Sequence, residues 1–407
     1  MSKFLKKLFI VLVLICFLTA FSDSYTSYSI DNLAVVVALA IDTSTTNNLQ
    51  VTFQFTNSTS VSQSGSTEKS PSIIFTIDAS SISSAINLMN TNLGKELNLS
   101  HCKLIVFSEE LASKGISEEI YTLINDVHIR PSTNIAISKS SAKTYIKNSK
   151  PTFENLLTKY YEVFANSSQY TGYTSNATIG EFFNSLVCNT CEPYAILGGI
   201  SSESVNNSIA TNSQKDSSGK SNESFERNQT KSENTGLAVF KDSNLVGELN
   251  SIETLSFLVT RNSVKGFLVS VPNPEEKDNF INIYINPTKN CSKKVNIING
   301  SPYISISYKF TGRIYSINEN SQYLKPELLD NISNSCNSYL ESIFSNYLYK
   351  SSKELKSDIN DFGSLARKKF LTQKDFDTYN WREKYKDAYF NVTVDTSIKS
   401  SYLLTET

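Results

Sequence analysis

The chain is poor in the side chains that most often mark chemistry. Its 407 residues hold two histidines, His101 and His128, a single tryptophan, Trp381, and six cysteines. Neither histidine has a glutamate–histidine partner at helical spacing, and no G-x-S-x-G elbow exists, so metalloprotease and serine-triad patterns are missing. Charge of one sign is also lacking. There are 38 Lys plus Arg against 39 Asp plus Glu, a balance that attracts no nucleic acid. Long apolar runs are absent too. Leu8 to Leu18 and Asn32 to Asp42 are both too short for a comfortable membrane span.

The cysteines are Cys16, Cys102, Cys188, Cys191, Cys291 and Cys336. Five lie beyond the first two dozen residues, and an odd number argues against a dense disulfide framework. Cys188-Asn-Thr-Cys191 has the C-x-x-C spacing of redox thiols or of half a zinc site, but no second pair accompanies it. A local disulfide or two unpaired thiols is the plainer reading. No cofactor and no metal is expected.

What is present begins with Lys3, Lys6 and Lys7, the apolar run from Leu8 to Leu18, and the small residues in Thr19-Ala20-Phe21-Ser22. A basic segment, a short apolar stretch and small residues form an export signal. Everything after Ser22 therefore reads as extracytoplasmic, with a formal charge that moves from −1 to −4 on loss of the three lysines. The remaining chain, about 385 residues, is long enough for two or three domains with real cores.

Asn32 to Asp42 is continuous and valine-rich, as a strand buried on both faces would be. Val51, Phe53 and Phe55 alternate, predicting a partner strand across the polar turn at Thr43 to Asn48. Strands are also predicted at Ile73–Ile77, Lys103–Phe107 and Asn134–Ser138, and helices at Ser81–Leu93 and 109–127. Residues 23–150 thus form an N-terminal α+β domain. Residues 151–265 form a middle domain with helices at Pro151–Phe164 and Thr178–Leu186, a strand at Ala195–Ile200, and a hairpin at Gly236–Leu249. Within it, 201–234 is so polar that a disordered exposed loop is expected. Residues 266–407 form a C-terminal α+β domain. There an antiparallel sheet is predicted, including Ile304, Ile306, Tyr308, Phe310 and Ile314 on one face. Lying across it is a long amphipathic helix from Pro326 through Leu328, Ile332, Cys336, Leu340, Ile343, Tyr347 and Leu348. Mixed and antiparallel sheets with packed helices make the fold class α+β.

Two possible sites reduce to structure. Asp361-Phe362-Gly363 matches a kinase metal triplet, but the rest of that machinery is missing, so a turn ending the long helix at Gly363 is the reading. Asp42, Glu109 and Glu110 could pair for acid/base work, yet nothing in the sequence joins them to a nucleophile. Gly236, Gly247 and Gly363 are expected at turns, and Trp381, Tyr385 and Phe390 packed by the last strand. No catalytic residue is assigned.

Several segments fall in an order that resembles one family. They are Ile30 to Asp42, Ser100-His-Cys-Lys-Leu-Ile-Val-Phe-Ser-Glu-Glu-Leu-Ala112, Ile129-Arg130, Gly236-Leu-Ala-Val-Phe240, Leu245-Val-Gly247, Glu253-Thr254, Asp361-Phe-Gly363 and Trp381. The set resembles the Ger(x)C proteins, the C-component of bacterial spore germinant receptors. That resemblance implies a non-enzymatic three-domain α+β subunit on the outer face of the spore inner membrane. It would work with A- and B-type integral-membrane subunits in the response to nutrient germinants, small molecules it could itself touch. Family members carry a lipid-modified cysteine after the signal. Here Phe21 stands in its place and Cys16 lies inside the apolar run, so no lipidation residue is identified and an uncut N-terminal anchor is the preferred expectation. Other departures are Glu248 and the long polar stretch. The rival reading is an exported solute-binding or surface protein holding a small ligand between domains.

Overall fold

A computed structural model describes residues 7–9, 13, 32–56, 72–149, 157–200, 232–274, 279–316 and 326–399. Cys16, Phe21 and most of the 1–22 segment lie outside the described residues, as does the polar stretch apart from 232–234. Among the described residues no helix is long and apolar enough to cross a membrane.

The first half of the chain builds a nine-stranded mixed sheet. Its strands are β1 (Leu33–Thr43), β2 (Leu49–Phe55), β3 (Ile73–Ala79), β4 (Glu96–Asn98), β5 (Leu104–Ser108), β6 (Asn134–Ser138), β7 (Tyr194–Ile200), β8 (Ser232–Lys241) and β9 (Asn244–Leu249). Their order is β3-β2-β1-β5-β6-β7-β8-β9, with β4 paired to the start of β1. β1, β5, β6 and β7 run parallel, and the pairs toward each edge are antiparallel. Val36–Ile41, Leu104–Phe107 and Ile135–Ile137 are fully buried, as expected of parallel strands covered on both faces. The boundary expected near residue 150 falls between β6 and β7, which pair with each other.

The covering helices are α1 (Ile82–Leu93), α2 (Glu109–Lys114), α3 (Ser117–Asn125), α4 (Ala142–Asn148), α5 (Leu157–Asn166), α6 (Ser168–Thr171) and α7 (Ile179–Val187). Ser81 caps α1, and Thr178 with Glu181 forms a reciprocal capping box on α7. The single helix expected over 109–127 is two. Gly115, at φ +103°, breaks it, and the Ile116 N–H donates to Ser243 O at 3.1 Å instead of to a helical carbonyl. The tip of the β8–β9 hairpin therefore sets the break.

After α8 (Ser251–Thr260) comes a five-stranded sheet of β10 (Phe267–Pro272), β11 (Phe280–Pro287), β12 (Ser292–Ile298), β13 (Ser301–Ser316) and β14 (Tyr389–Lys399). The first four pair antiparallel in the order β10-β11-β13-β12. β14 joins β13 in parallel, from Tyr303 opposite Tyr389 to Arg313 opposite Lys399. Between these two strands the chain runs through α9 (Pro326–Tyr349) and the short helices α10 (Phe362–Arg367), α11 (Gln373–Tyr379) and α12 (Trp381–Lys384). Such a crossover returns the chain to the same end of the sheet, which favours parallel pairing. α9 buries Leu328, Ile332, Cys336, Leu340, Phe344, Tyr347 and Leu348, with the Phe344 ring centroid 4.6 Å from Tyr308 and 6.3 Å from Phe310 of β13, and Glu341 and Asn337 accepting from the Val394 and Thr396 N–H groups of β14.

Candidate functional site

Among the described residues two of the three buried carboxylates, Glu192 and Asp358, lie where the two sheets meet. The loop 188–193 after α7 and the β8–β9 turn come from the first half. Residues 355–363 and the start of α12 come from the second. Asp358 is the centre, and its side chain is buried. Its Oδ1 accepts from the Phe362 N–H at 3.1 Å, and its Oδ2 from the Gly363 N–H at 2.8 Å and Trp381 Nε1 at 2.9 Å. The Asp358 carbonyl accepts from the Glu192 N–H at 3.2 Å, tying the halves together. Burial pushes the Asp358 carboxyl up to about 7 against the pull of those three donors.

Arg382 spans the same joint. Its Nη2 donates to Cys188 O at 2.7 Å and Cys191 O at 3.3 Å, and its Nη1 pairs with Asp242. Arg382 Nε lies 3.3 Å from Glu192 Oε1, close enough for charge pairing though not aligned as a hydrogen bond. Glu192 Oε2 accepts from the Asp242 N–H at 2.7 Å. Desolvation outweighs the nearby guanidinium and raises the Glu192 carboxyl to about 7. Ser357 Oγ donates to Phe240 O at 2.6 Å, and Arg261 Nη1 to Ile359 O at 2.9 Å.

Of the singled-out glycines Gly363 and Gly247 meet residues of this joint and Gly236 does not, and none of the three is at a turn. Gly363 opens α10 rather than ending α9. A Cβ there would come 2.4 Å from Thr190 O and 2.6 Å from Trp381 Nε1, so it is a close-approach glycine. Gly247 lies within β9, with a Cβ position 2.5 Å from Leu355 Cδ2. Gly236 lies within β8 at φ +97°, donating to Tyr173 O at 2.8 Å, with its Cβ position 2.4 Å from Leu249 O. Trp381, Tyr385 and Phe390 form a chain of ring contacts, with centroids 5.9 and 6.3 Å apart.

Cys188 and Cys191 are bonded as a local disulfide. Thr190, between them, donates from Oγ1 to Asp361 Oδ1 at 3.0 Å, so the C-x-x-C loop and the Asp-Phe-Gly triplet touch. His128 Nδ1 lies 3.1 Å from Asp126 Oδ1, on an exposed turn.

A second place is a cleft of about 330 Å³ at the carboxyl ends of β1 and β5, lined by Asp42, Gln50, Ser108, Glu109, Glu110 and Lys139 among others. Asp42, Glu109 and Glu110, a possible carboxylate pairing in the sequence, all line this one cleft. Asp42 accepts from the Ala142 and Lys143 N–H groups at 2.7 and 2.9 Å, and burial raises its carboxyl. Lys114, hydrogen-bonded at 2.8 Å, holds the Glu110 carboxyl below its usual range, and Lys139 lies 2.7 Å from a Glu248 oxygen. Sequence reasoning missed Glu192, Asp242, Asp358 and Arg382. Only the nearness of Asp358 to Asp361-Phe362-Gly363, and of Arg382 to Trp381, pointed there.

Two family models match the chain in order. One describes a spore germination protein N-terminal domain and matches residues 27–197. The other describes a spore germination B3/GerAC-like C-terminal domain and matches residues 235–402. The chain belongs to this spore germination protein family. The crystal structure of the GerBC protein is similar in fold, at 17% identity and a TM-score of 0.51, over 88% of this chain and 96% of that one. Among curated proteins none matches the chain in sequence.

Proposed function

We propose that the protein is the C-subunit of a nutrient germinant receptor, held at the outer face of the spore inner membrane. There it assembles with A- and B-type membrane subunits and performs no catalysis of its own. The observation that carries this reading is the pair of family matches, N-terminal then C-terminal, over residues 27–197 and 235–402. The joint supports it. Asp358 holds the 362–363 backbone and Trp381 while its carbonyl takes the Glu192 N–H, and Arg382 pairs with Glu192 and Asp242, an arrangement that fixes two sheets in one orientation for a partner to read. The test is affinity capture of a tagged full-length chain from spore membranes, together with germination of a deletion strain. Co-purification of two integral-membrane proteins and slowed nutrient germination are expected. Normal germination with every nutrient, from spores that normally contain abundant protein, would overturn the reading.

The polar cleft favours a second reading, because small ligands in open α/β sheets bind outside the strands' carboxyl ends. In that case the protein holds a small solute by itself. Calorimetry of the purified full chain against amino acids and sugars separates the two, since a one-to-one complex without partners belongs to the second reading only.

A further inference from the structure

The C-x-x-C loop and the Asp-Phe-Gly triplet are 170 residues apart in sequence and meet at the joint. The two sulfurs and an Asp361 carboxylate oxygen all lie within 4.8 Å of one another, half-buried. The loop is already shaped for sulfur ligands: the Thr190 N–H points at Cys188 Sγ at 3.4 Å, and Thr190 Oγ1 lies 3.1 Å from the same sulfur. Asp361 is fixed as well. Its backbone is held at φ +58°, and Thr190 Oγ1 at 3.0 Å and Ser364 Oγ at 2.5 Å both donate to Oδ1. Outer hydrogen bonds of this kind orient metal ligands.

We propose that Cys188, Cys191 and Asp361 form a thiol-dependent site for a zinc-like divalent cation, closed as a disulfide and opened by reduction. In the reducing step two small-molecule thiols supply two electrons and two protons. The Cys188–Cys191 bond breaks, both cysteines become thiols, and the small thiols leave as their own disulfide. The cation then displaces the two thiol protons and takes two sulfurs and one carboxylate oxygen, with water in the fourth position of a tetrahedron. Because the ligands come from both halves of the chain, the bound ion clamps the joint, and binding to the folded form alone raises stability.

The test uses the full chain reduced by a phosphine, which becomes its oxide with oxygen from water and competes little for metal. Zn²⁺ is titrated against a chromophoric chelator, and Co²⁺ reports sulfur ligation by its thiolate charge-transfer absorption. One Zn²⁺ per reduced chain is expected, with none in the oxidised chain and a rise in the thermal midpoint on binding. A double variant, Cys188→Ser with Cys191→Ser, keeps Cys102, Cys291 and Cys336 and measures any zinc held elsewhere. Asp361→Asn suits the same left-handed backbone and should weaken binding at least about tenfold. Equal uptake by reduced chain and double variant, or a Co²⁺ complex without thiolate absorption, overturns the proposal. Unchanged affinity in Asp361→Asn removes Asp361 from the site. The oxidised-against-reduced comparison needs no variant to fold.

Discussion

The two sheets bury their strands in opposite ways. In the first, β1, β5 and β6 are covered on both faces, so consecutive residues such as Leu104 to Phe107 are all fully buried. In the second, α9 covers one face. Along β14 exposed Asn391, Thr393, Asp395 and Ser397 alternate with Val392, Val394, Thr396 and Ile398 on the covered side. Those central strands of the first sheet thus offer no open face. The second leaves alternate residues open to solvent, polar along β14 but including Leu268, Ile298 and Tyr315 elsewhere, with stacked Tyr303 and Tyr389 at one end, their ring centroids 5.6 Å apart. The joint at Asp358 makes these unlike parts one body.

The strongest way to break the comparison is at the joint. Asp358→Ala leaves the Phe362, Gly363 and Trp381 donors without their acceptor in a buried place, an expected loss of about 4 kcal/mol in denaturant unfolding. A loss under about 1 kcal/mol would mean water replaces the carboxylate and the joint matters little. Next comes the contrast of faces. Ile105→Ala and Val106→Ala, on opposite faces of β5, should both destabilise, by about 3 and about 2 kcal/mol. In β13, Ile306→Ala should cost about 3 kcal/mol while Ser307→Ala stays within about 0.5. Equal costs in β13 would erase the distinction.

A smaller effect separates two of the close-approach glycines. Gly363→Ala drives a methyl against the Thr190 carbonyl and the Trp381 ring, neither of which yields easily, at an expected cost of about 2 kcal/mol. Gly247→Ala meets only the end of the Leu355 side chain, which can turn aside, at about 1 kcal/mol or less. Thermal midpoints in the reverse order would show that the joint gives way and the sheet does not.

The gentlest probe is pH. With its carboxyl raised to about 7, folded Asp358 keeps a proton that an unfolded aspartate, near about 3.9, has already lost. Its stabilising contribution is therefore full at acid pH, declines as pH rises through about 7, and is gone above that. Glu192, also raised to about 7, adds to the same decline. The thermal midpoint of the full chain should fall toward neutral pH, and Asp358→Asn should flatten part of that fall. A midpoint that rises over the same range would contradict the buried-carboxyl picture.

Strand and helix positions were legible because they repeat locally. The continuous run at Asn32 to Asp42, the alternation through Tyr308 and the three-four spacing of α9 each announce what they bury. The direction of β14 was not legible, since alternation is the same in parallel and antiparallel strands. Nor was the break at Gly115, which depends on a hairpin tip more than a hundred residues away. The start of β8 at Ser232 came earlier than the polar composition suggested, because pairing with β7 recruits residues with no burial signature of their own. The joint was hidden for the same reason. Asp242 and Arg382, or Thr190 and Asp361, meet through topology that no local pattern encodes.

The pairing of Ile200 with Ser232 carries a practical consequence. The chain leaves the sheet from β7 and re-enters it in the adjacent strand β8, so the two ends of the intervening segment are already fastened side by side. Lengthening such a closed segment adds little closure entropy, roughly 0.6 kcal/mol for each doubling. A reporter protein or affinity tag spliced into 201–231 should therefore leave both sheets intact, offering a way to follow this subunit in living spores without touching either terminus.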